Sequence, residues 1–127
     1  MGKPFVEPSA REPLCIVRDI YRLVSDFEGT LQAGCGVGLN EGMLLCSLSK
    51  AGQSTSGQIA EALGLTSSNA SKVIASAERK GLIGRMVGKE DRRRMLFALT
   101  PAGEKCVEKL NCKPETLMAV IRKIKEI

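Results

Sequence analysis

The sequence predicts a small, mostly helical α+β domain, a helix-turn-helix backed by a two-stranded basic ribbon, on three observations. Residues 55–80 hold two short amphipathic helical patterns that meet at Gly64-Leu65-Thr66. Two β-prone runs follow at once, Ile83–Val87 and Met95–Leu99, joined by the charged linker Gly88-Lys89-Glu90-Asp91-Arg92-Arg93-Arg94. Longer apolar helical patterns flank this block at about 12–33 and 101–127. At 127 residues, with 43% apolar and 26% charged side chains, the chain is one globular domain by length and composition.

Residues 1–10 are polar, contain Pro4 and Pro8, and read as a loose arm. A first helix begins at Glu12 or Pro13, because proline is tolerated in a first helical turn, and runs to about Gln32. Ile16, Ile20, Leu23, Phe27 and Leu31 recur at steps of three and four and form one stripe; Leu14, Val17, Tyr21 and Val24 form a second beside it. So wide an apolar face fits either a fully buried helix or one shared between the core and a partner subunit. Gly34, Gly36 and Gly38 are expected to break that helix. A second helix, about Asn40 to Ser49, turns Leu44, Leu45 and Leu48 inward and stops at Ala51-Gly52, where glycine suits a C-terminal cap.

Thr55 or Ser56 caps the third helix, with Gln58 as reciprocal partner. Ile59, Ala60 and Leu63 point inward, Gly64 permits the left-handed turn, and Leu65 plugs the junction. Thr66 caps the next helix, Ser67 to about Lys80, closed by Gly81. Ala70, Val73, Ile74 and Ala77 make its buried side, while Ser67, Ser68, Ser71, Lys72, Ala75 and Arg79 make its outer side. Small hydroxyl side chains let a helix enter a groove roughly 12 Å wide and reach base edges or phosphates, and Asn69 is suited to pair with adenine. On its own a serine face favours a merely solvated surface. The ribbon tips the balance: Lys89, Arg92, Arg93 and Arg94 gather positive charge beside a helix already carrying Lys72 and Arg79, and an arginine at a loop tip suits the narrow minor groove.

What is missing narrows the function. The chain has no histidine, so the commonest general base and metal ligand are gone. Cys15, Cys35, Cys46, Cys106 and Cys112 form no C-x-x-C pair, and their odd number suits a reducing compartment without structural disulfides. No enzyme, metal site or cofactor is expected. No apolar run reaches the roughly 18 residues of a membrane span, and the N-terminus lacks a signal-peptide core, so a cytoplasmic protein is expected. Lys and Arg exceed Asp and Glu by 19 to 14, a net +5 that favours polyanionic partners.

The block from Leu63 to Gly103 resembles the winged helix-turn-helix core of the MarR (multiple antibiotic resistance regulator) family, a likeness that extends over about residues 39–103, with 39–100 as the winged core. Asp91-Arg92-Arg93 and Leu99-Thr100 stand where that family has Asp-x-Arg and Leu-Thr. The resemblance implies that Arg93 enters the minor groove, that Asp91 steadies the wing by pairing with arginine, and that the Thr66–Lys80 helix reads the major groove. It also implies a dimer, held by helices at 12–33 and 101–127, that regulates transcription from a pseudo-palindromic operator on double-stranded DNA. Gly42 stands where the family has a bulky apolar residue, which predicts a looser second helix. Pro114 is expected to interrupt the C-terminal region. The final helix, with Leu117, Val120, Ile121, Ile124 and Ile127 on one side, then joins a dimer interface or folds back onto the first.

Such regulators respond to small molecules or oxidants. With three Phe, one Tyr and no Trp, an aromatic pocket has Tyr21 and Phe27 as its candidates, both of which also suit the core. Cys15, in a first helical turn near Arg11 and Arg18, is the candidate redox sensor, since helix N-termini and cations lower a thiol pKa. The competing function is a winged-helix protein–protein interaction module without sequence-specific DNA binding. Its mark would be an apolar recognition face, which Ser67–Lys72 does not offer.

Overall fold

Leu44, Leu45 and Leu48, one face of a single helix, are almost wholly excluded from solvent, and the other elements are arranged around them. The computed structural model describes residues 12–111 and 114–126. The expected N-terminal arm, together with Arg11, Cys112, Lys113 and Ile127, lies outside the described residues, as do the side chains at 111 and 114–117, Leu117 among them. The described residues form α1 (Pro13–Cys35), α2 (Leu39–Ala51), α3 (Ser56–Leu63), α4 (Ser67–Arg79), β1 (Ile83–Val87), β2 (Met95–Leu99), α5 (Pro101–Asn111) and α6 (Pro114–Glu126). The mostly helical α+β class expected from the sequence is what forms.

Proline occupies the first turn of α1, as expected. The helix outlasts its predicted end by three residues, because Gly34 stays helical and Gly36 is the residue that turns left-handed, with φ 71° and its N–H donated to the Gln32 carbonyl. Gly34 is exposed and packs against nothing, so its cost is only the modest one of a helical glycine.

At the start of α2, Glu41 reaches back and its Oε1 accepts the Gly38 N–H at 3.2 Å. The same carboxylate accepts the Lys80 ammonium at 2.7 Å and the Ser76 hydroxyl at 3.1 Å, both from α4. Burial pushes the Glu41 pKa up, but the hydrogen bonds from Lys80, Gly38 and Ser76 and the Lys80 charge outweigh it, leaving it below its ordinary 4.5. A carboxyl depressed in the folded state contributes stability that is present above its unfolded pKa and is lost as pH falls through the folded value. Wild type is therefore expected to lose thermal stability more steeply below about pH 4.5 than Glu41→Gln does, with pH-dependent melting as the measurement.

Gly42 does not loosen α2, which runs unbroken to the Gly52 cap (φ 81°). It is buried where α1 and α5 come closest to α2, and a Cβ there would meet Leu31 Cδ1 at 3.7 Å and Leu110 Cδ1 at 3.9 Å, ordinary contacts. Gly42→Ala is expected to raise stability by about 0.5–1 kcal/mol, read as a shift in denaturant midpoint at unchanged slope.

Ile59 of α3, Ile74 and Ala77 of α4, Ile83 and Phe97 of the ribbon, and Cys106 and Val107 of α5 close on the leucines of α2. The strands pair antiparallel with Arg85 opposite Phe97, and Ser54 adds a bridge to Phe97 through two backbone hydrogen bonds of 2.8 and 3.0 Å. Gly103, in the first turn of α5, passes so close to the Leu82 carbonyl that a Cβ would fall on it. Beyond residues 112–113, α6 lies along α1, the second of the two arrangements expected for it, with Val120, Ile121 and Ile124 half-buried.

The two stripes of α1 have different fates. Ile16, Ile20, Leu23, Phe27 and Leu31 are half-buried. Leu14, Val17 and Tyr21 are 83%, 61% and 72% exposed, and Val24 is half-buried. Tyr21 is thus a surface residue of the single chain, not the core residue that was one of the readings of its stripe.

Candidate nucleic-acid interface

Local hydrogen bonds build the helix-turn-helix. Thr55 and Gln58 bond reciprocally, the Thr55 N–H to Gln58 Oε1 at 2.9 Å and the Gln58 N–H to Thr55 Oγ1 at 3.2 Å. Gly64, at φ 67°, ends α3 in the left-handed conformation, and the Leu65 N–H donates to the Ala60 carbonyl. Thr66 Oγ1 accepts the Asn69 N–H at 3.1 Å and opens α4.

Burial divides α4 into two sides. Ala70, Ile74 and Ala77 are buried and Val73 is half-buried. Ser67, Ser68, Asn69, Ser71, Lys72 and Arg79 are exposed, with Ala75 at the margin. The outer surface is therefore one of short polar side chains, with a cation in the middle and another at the last turn.

The ribbon tip is a tight, hydrogen-bonded turn. The Gly88 N–H donates to the Arg94 carbonyl at 2.8 Å and the Arg94 N–H to the Asp91 carbonyl at 3.0 Å. A Cβ at Gly88 would come within 2.8 Å of that Asp91 carbonyl, so the turn requires glycine there. Asp91 Oδ1 accepts the Arg93 N–H at 3.0 Å and lies 3.5 Å from Arg93 Nε. Lys89, Asp91, Arg92, Arg93 and Arg94 are all exposed, Arg93 at 94% of its side chain. The hydrogen-bonded turn thus presents four exposed cationic side chains, Lys89, Arg92, Arg93 and Arg94.

Two ties absent from the sequence-based reading join ribbon to helix. Arg85 of β1 makes a two-pronged pair with Glu78 of α4, at 2.8 and 3.0 Å, and its guanidinium lies 5.6 Å from the Phe97 ring centroid. The Arg85 hydrogen bond holds the Glu78 carboxyl below its ordinary range against a small opposing effect of burial. At the other end Thr100 Oγ1 donates to the Gly81 carbonyl at 2.6 Å and accepts the Gly103 N–H at 3.1 Å, so one hydroxyl clasps the end of α4 and opens α5. No periodicity rule links residues 78 and 85 or 81 and 100; only the folded ribbon brings them together.

The sensor candidates find other settings. Cys15 is buried at 3% exposure, and its thiol faces the Glu12 carboxylate at 4.0 Å. Arg18, one of the two cations invoked for it, pairs with Asp19 at 3.1 Å, and Arg11, the other, lies outside the described residues. Cys106 is pushed up to about 11 by burial and by the neighbouring Cys35 and Cys46 thiols, which leaves it protonated and inert at neutral pH. Cys15, Cys35, Cys46 and Cys106 are free thiols. Among the described residues no group of acids and cysteines is placed to hold a metal ion, and no helix is long and apolar enough to cross a membrane.

The model of the MarR family matches residues 38–95, from the N-cap of α2 to the first residue of β2. Among solved structures, a probable transcriptional regulator from Pseudomonas aeruginosa superposes with TM-score 0.77 at 23% identity, covering 88% of this chain and 84% of that one. A mutant of S. aureus MepR bound to an oligodeoxyribonucleotide gives TM-score 0.67 at 27% identity, covering 84% and 78%. A mutant of E. coli MarR complexed with operator DNA gives TM-score 0.71 at 17% identity, covering 90% and 85%. No curated protein matches the chain in sequence.

Proposed function

We propose that this chain, whose residues 38–95 match the model of the MarR family, is a transcription regulator that binds double-stranded DNA as a homodimer, α4 in the major groove and the β1–β2 wing in the minor groove. The observation that carries this is the outer side of α4: Ser67, Ser68, Asn69, Ser71, Lys72 and Arg79 are all exposed, and no large apolar side chain lies among them. A surface that docks a protein needs an apolar centre, whereas a helix that enters a groove needs short donors and acceptors with cations at its margin. The alternative of a protein-docking module is disfavoured on that ground.

In this reading Lys72, Arg79, Lys89, Arg92 and Arg94 neutralise phosphates, Arg93 enters the minor groove, and Asp91 keeps the wing backbone in shape. Ser67, Ser68, Asn69 and Ser71 read base edges. The relatives solved with an oligodeoxyribonucleotide and with operator DNA support duplex DNA as the partner. The exposed stripe Leu14, Val17 and Tyr21 supports a second copy as the other.

Selection from a random-sequence duplex pool, followed by binding titrations at two salt concentrations, tests the proposal. A pseudo-palindromic site is expected, with affinity falling roughly 10³- to 10⁵-fold between 50 and 200 mM salt, as for proteins making 6–10 phosphate contacts. Retention of no duplex at low salt would return the function to the protein-docking alternative.

A further inference from the structure

Resting on the DNA-binding reading above, we infer that Glu41 is a positioning residue that sets the orientation of α4 against the α1–α2 corner and thereby the spacing of half-sites the dimer accepts. A glutamate at this position of a helix needs only its own backbone N–H partner to serve as a cap. Here the carboxylate also holds α4 at two places, Ser76 Oγ on Oε2 at 3.1 Å and Lys80 Nζ on Oε1 at 2.7 Å. Lys80 Nζ continues to the Gly36 carbonyl at 2.9 Å, the left-handed cap of α1. The last turn of α1, the first of α2 and the last of α4 meet at one buried anion, 9% exposed.

Two attachments matter more than one. Ser76 and Lys80 are four residues apart, so their anchors lie on one side of α4 about 6 Å apart along its axis. A single anchor fixes a point; two fix the direction of the line between them, and so the tilt of the helix. The apolar side of α4 does this poorly, because Ala70 and Ala77 are short and hydrophobic contact is not directional. From this node to Ser67 is a lever of about 15–20 Å, so a tilt of about 5° moves the reading residues by about 1.5 Å, enough to break a hydrogen bond to a base. The node's other arm is α1, which carries the exposed Leu14, Val17 and Tyr21 stripe. Whatever fixes α4 to α1 therefore fixes one reading helix relative to its copy.

The test compares wild type, Glu41→Gln and Ser76→Ala on duplexes whose half-sites are at the selected spacing or one base pair closer or farther. Each variant is expected to lower the preference for the selected spacing by roughly 2- to 30-fold, while binding to non-specific duplex at low salt stays unchanged. Amide hydrogen exchange without DNA is expected to quicken at residues 77–80 in Glu41→Gln, while the core of α2 stays protected. A uniform loss of affinity at all spacings, or an unaltered spacing preference with unaltered exchange, would overturn the inference. If wild type itself retains no duplex, the DNA-binding reading fails first, and unaltered exchange at residues 77–80 then overturns the positioning role on its own.

Discussion

The triple substitution Leu14→Ser, Val17→Ser, Tyr21→Ser is expected to halve the mass of the protein in solution and to weaken binding to a two-half-site duplex by roughly 10²- to 10⁴-fold. The three side chains stand at i, i+3 and i+7 on one side of α1 and are 83%, 61% and 72% exposed within a single chain. Large apolar groups grouped on a surface helix mark an interaction site, and a helix face repeated in a second copy satisfies itself by two-fold symmetry. All three side chains are mostly exposed within a single chain, so far-UV circular dichroism should not change. The affinity loss is the lost effective concentration of the second reading head, not lost contacts to DNA. Sedimentation equilibrium gives the mass and fluorescence anisotropy the affinity. An unchanged mass would move the interface elsewhere, and a halved mass with full affinity would mean that one protomer suffices.

Arg93→Ala is the second large effect, an expected cost of roughly 1–3 kcal/mol in operator binding with the melting temperature unmoved. Stability should be indifferent because the Arg93 side chain is 94% exposed and its pair with Asp91 is solvated. The two roles open to an arginine at the wing tip separate in one titration series. A minor-groove contact loses the preference for a narrow A·T-rich flank, whereas a phosphate contact weakens all sequences alike and lowers the salt slope by about one. Loss of flank preference is the expected outcome. An unchanged affinity would remove the wing tip from the interface. Asp91→Ala should act in the same direction through the backbone, since its Oδ1 holds the Arg93 N–H at 3.0 Å.

The sequence disclosed most where the physics is local. Thr55 with Gln58, Gly64, Thr66 and the alternation of Ala70, Ile74 and Ala77 with Ser67, Ser71 and Lys72 all act within one turn, so spacing alone places α3, α4 and their two sides. The strand limits Ile83–Val87 and Met95–Leu99 were readable for the same reason, with Gly81 and Gly88 near the ends of the first run and Arg94 and Pro101 near the ends of the second. The end of α1 was misjudged because three glycines compete and only the folded chain shows that Gly36 is the one forced left-handed. Tyr21 was misjudged because an apolar stripe reads the same whether it faces a core or a partner. The bonds that assemble the site were out of reach altogether. Glu41 meets Ser76 and Lys80 across 35 and 39 residues, Arg85 meets Glu78 across a turn, and Thr100 meets Gly81 across the ribbon. No sequence periodicity spans such separations. The Glu12 carboxylate beside the Cys15 thiol was likewise not singled out from the sequence, since only cations were sought nearby.

Dimethyl sulfate probing of the selected duplex most directly tests whether the outer side of α4 and the wing act together on DNA, because the reagent reports guanine N7 in the major groove and adenine N3 in the minor. Protection of guanine N7 is expected in two half-sites whose centres lie about 10–10.5 base pairs, or a multiple of that, apart. Adenine N3 protection is expected beside each half-site and should disappear in Arg93→Ala. Protein-bound duplex with guanine N7 fully reactive, or with minor-groove protection indifferent to Arg93, would contradict it.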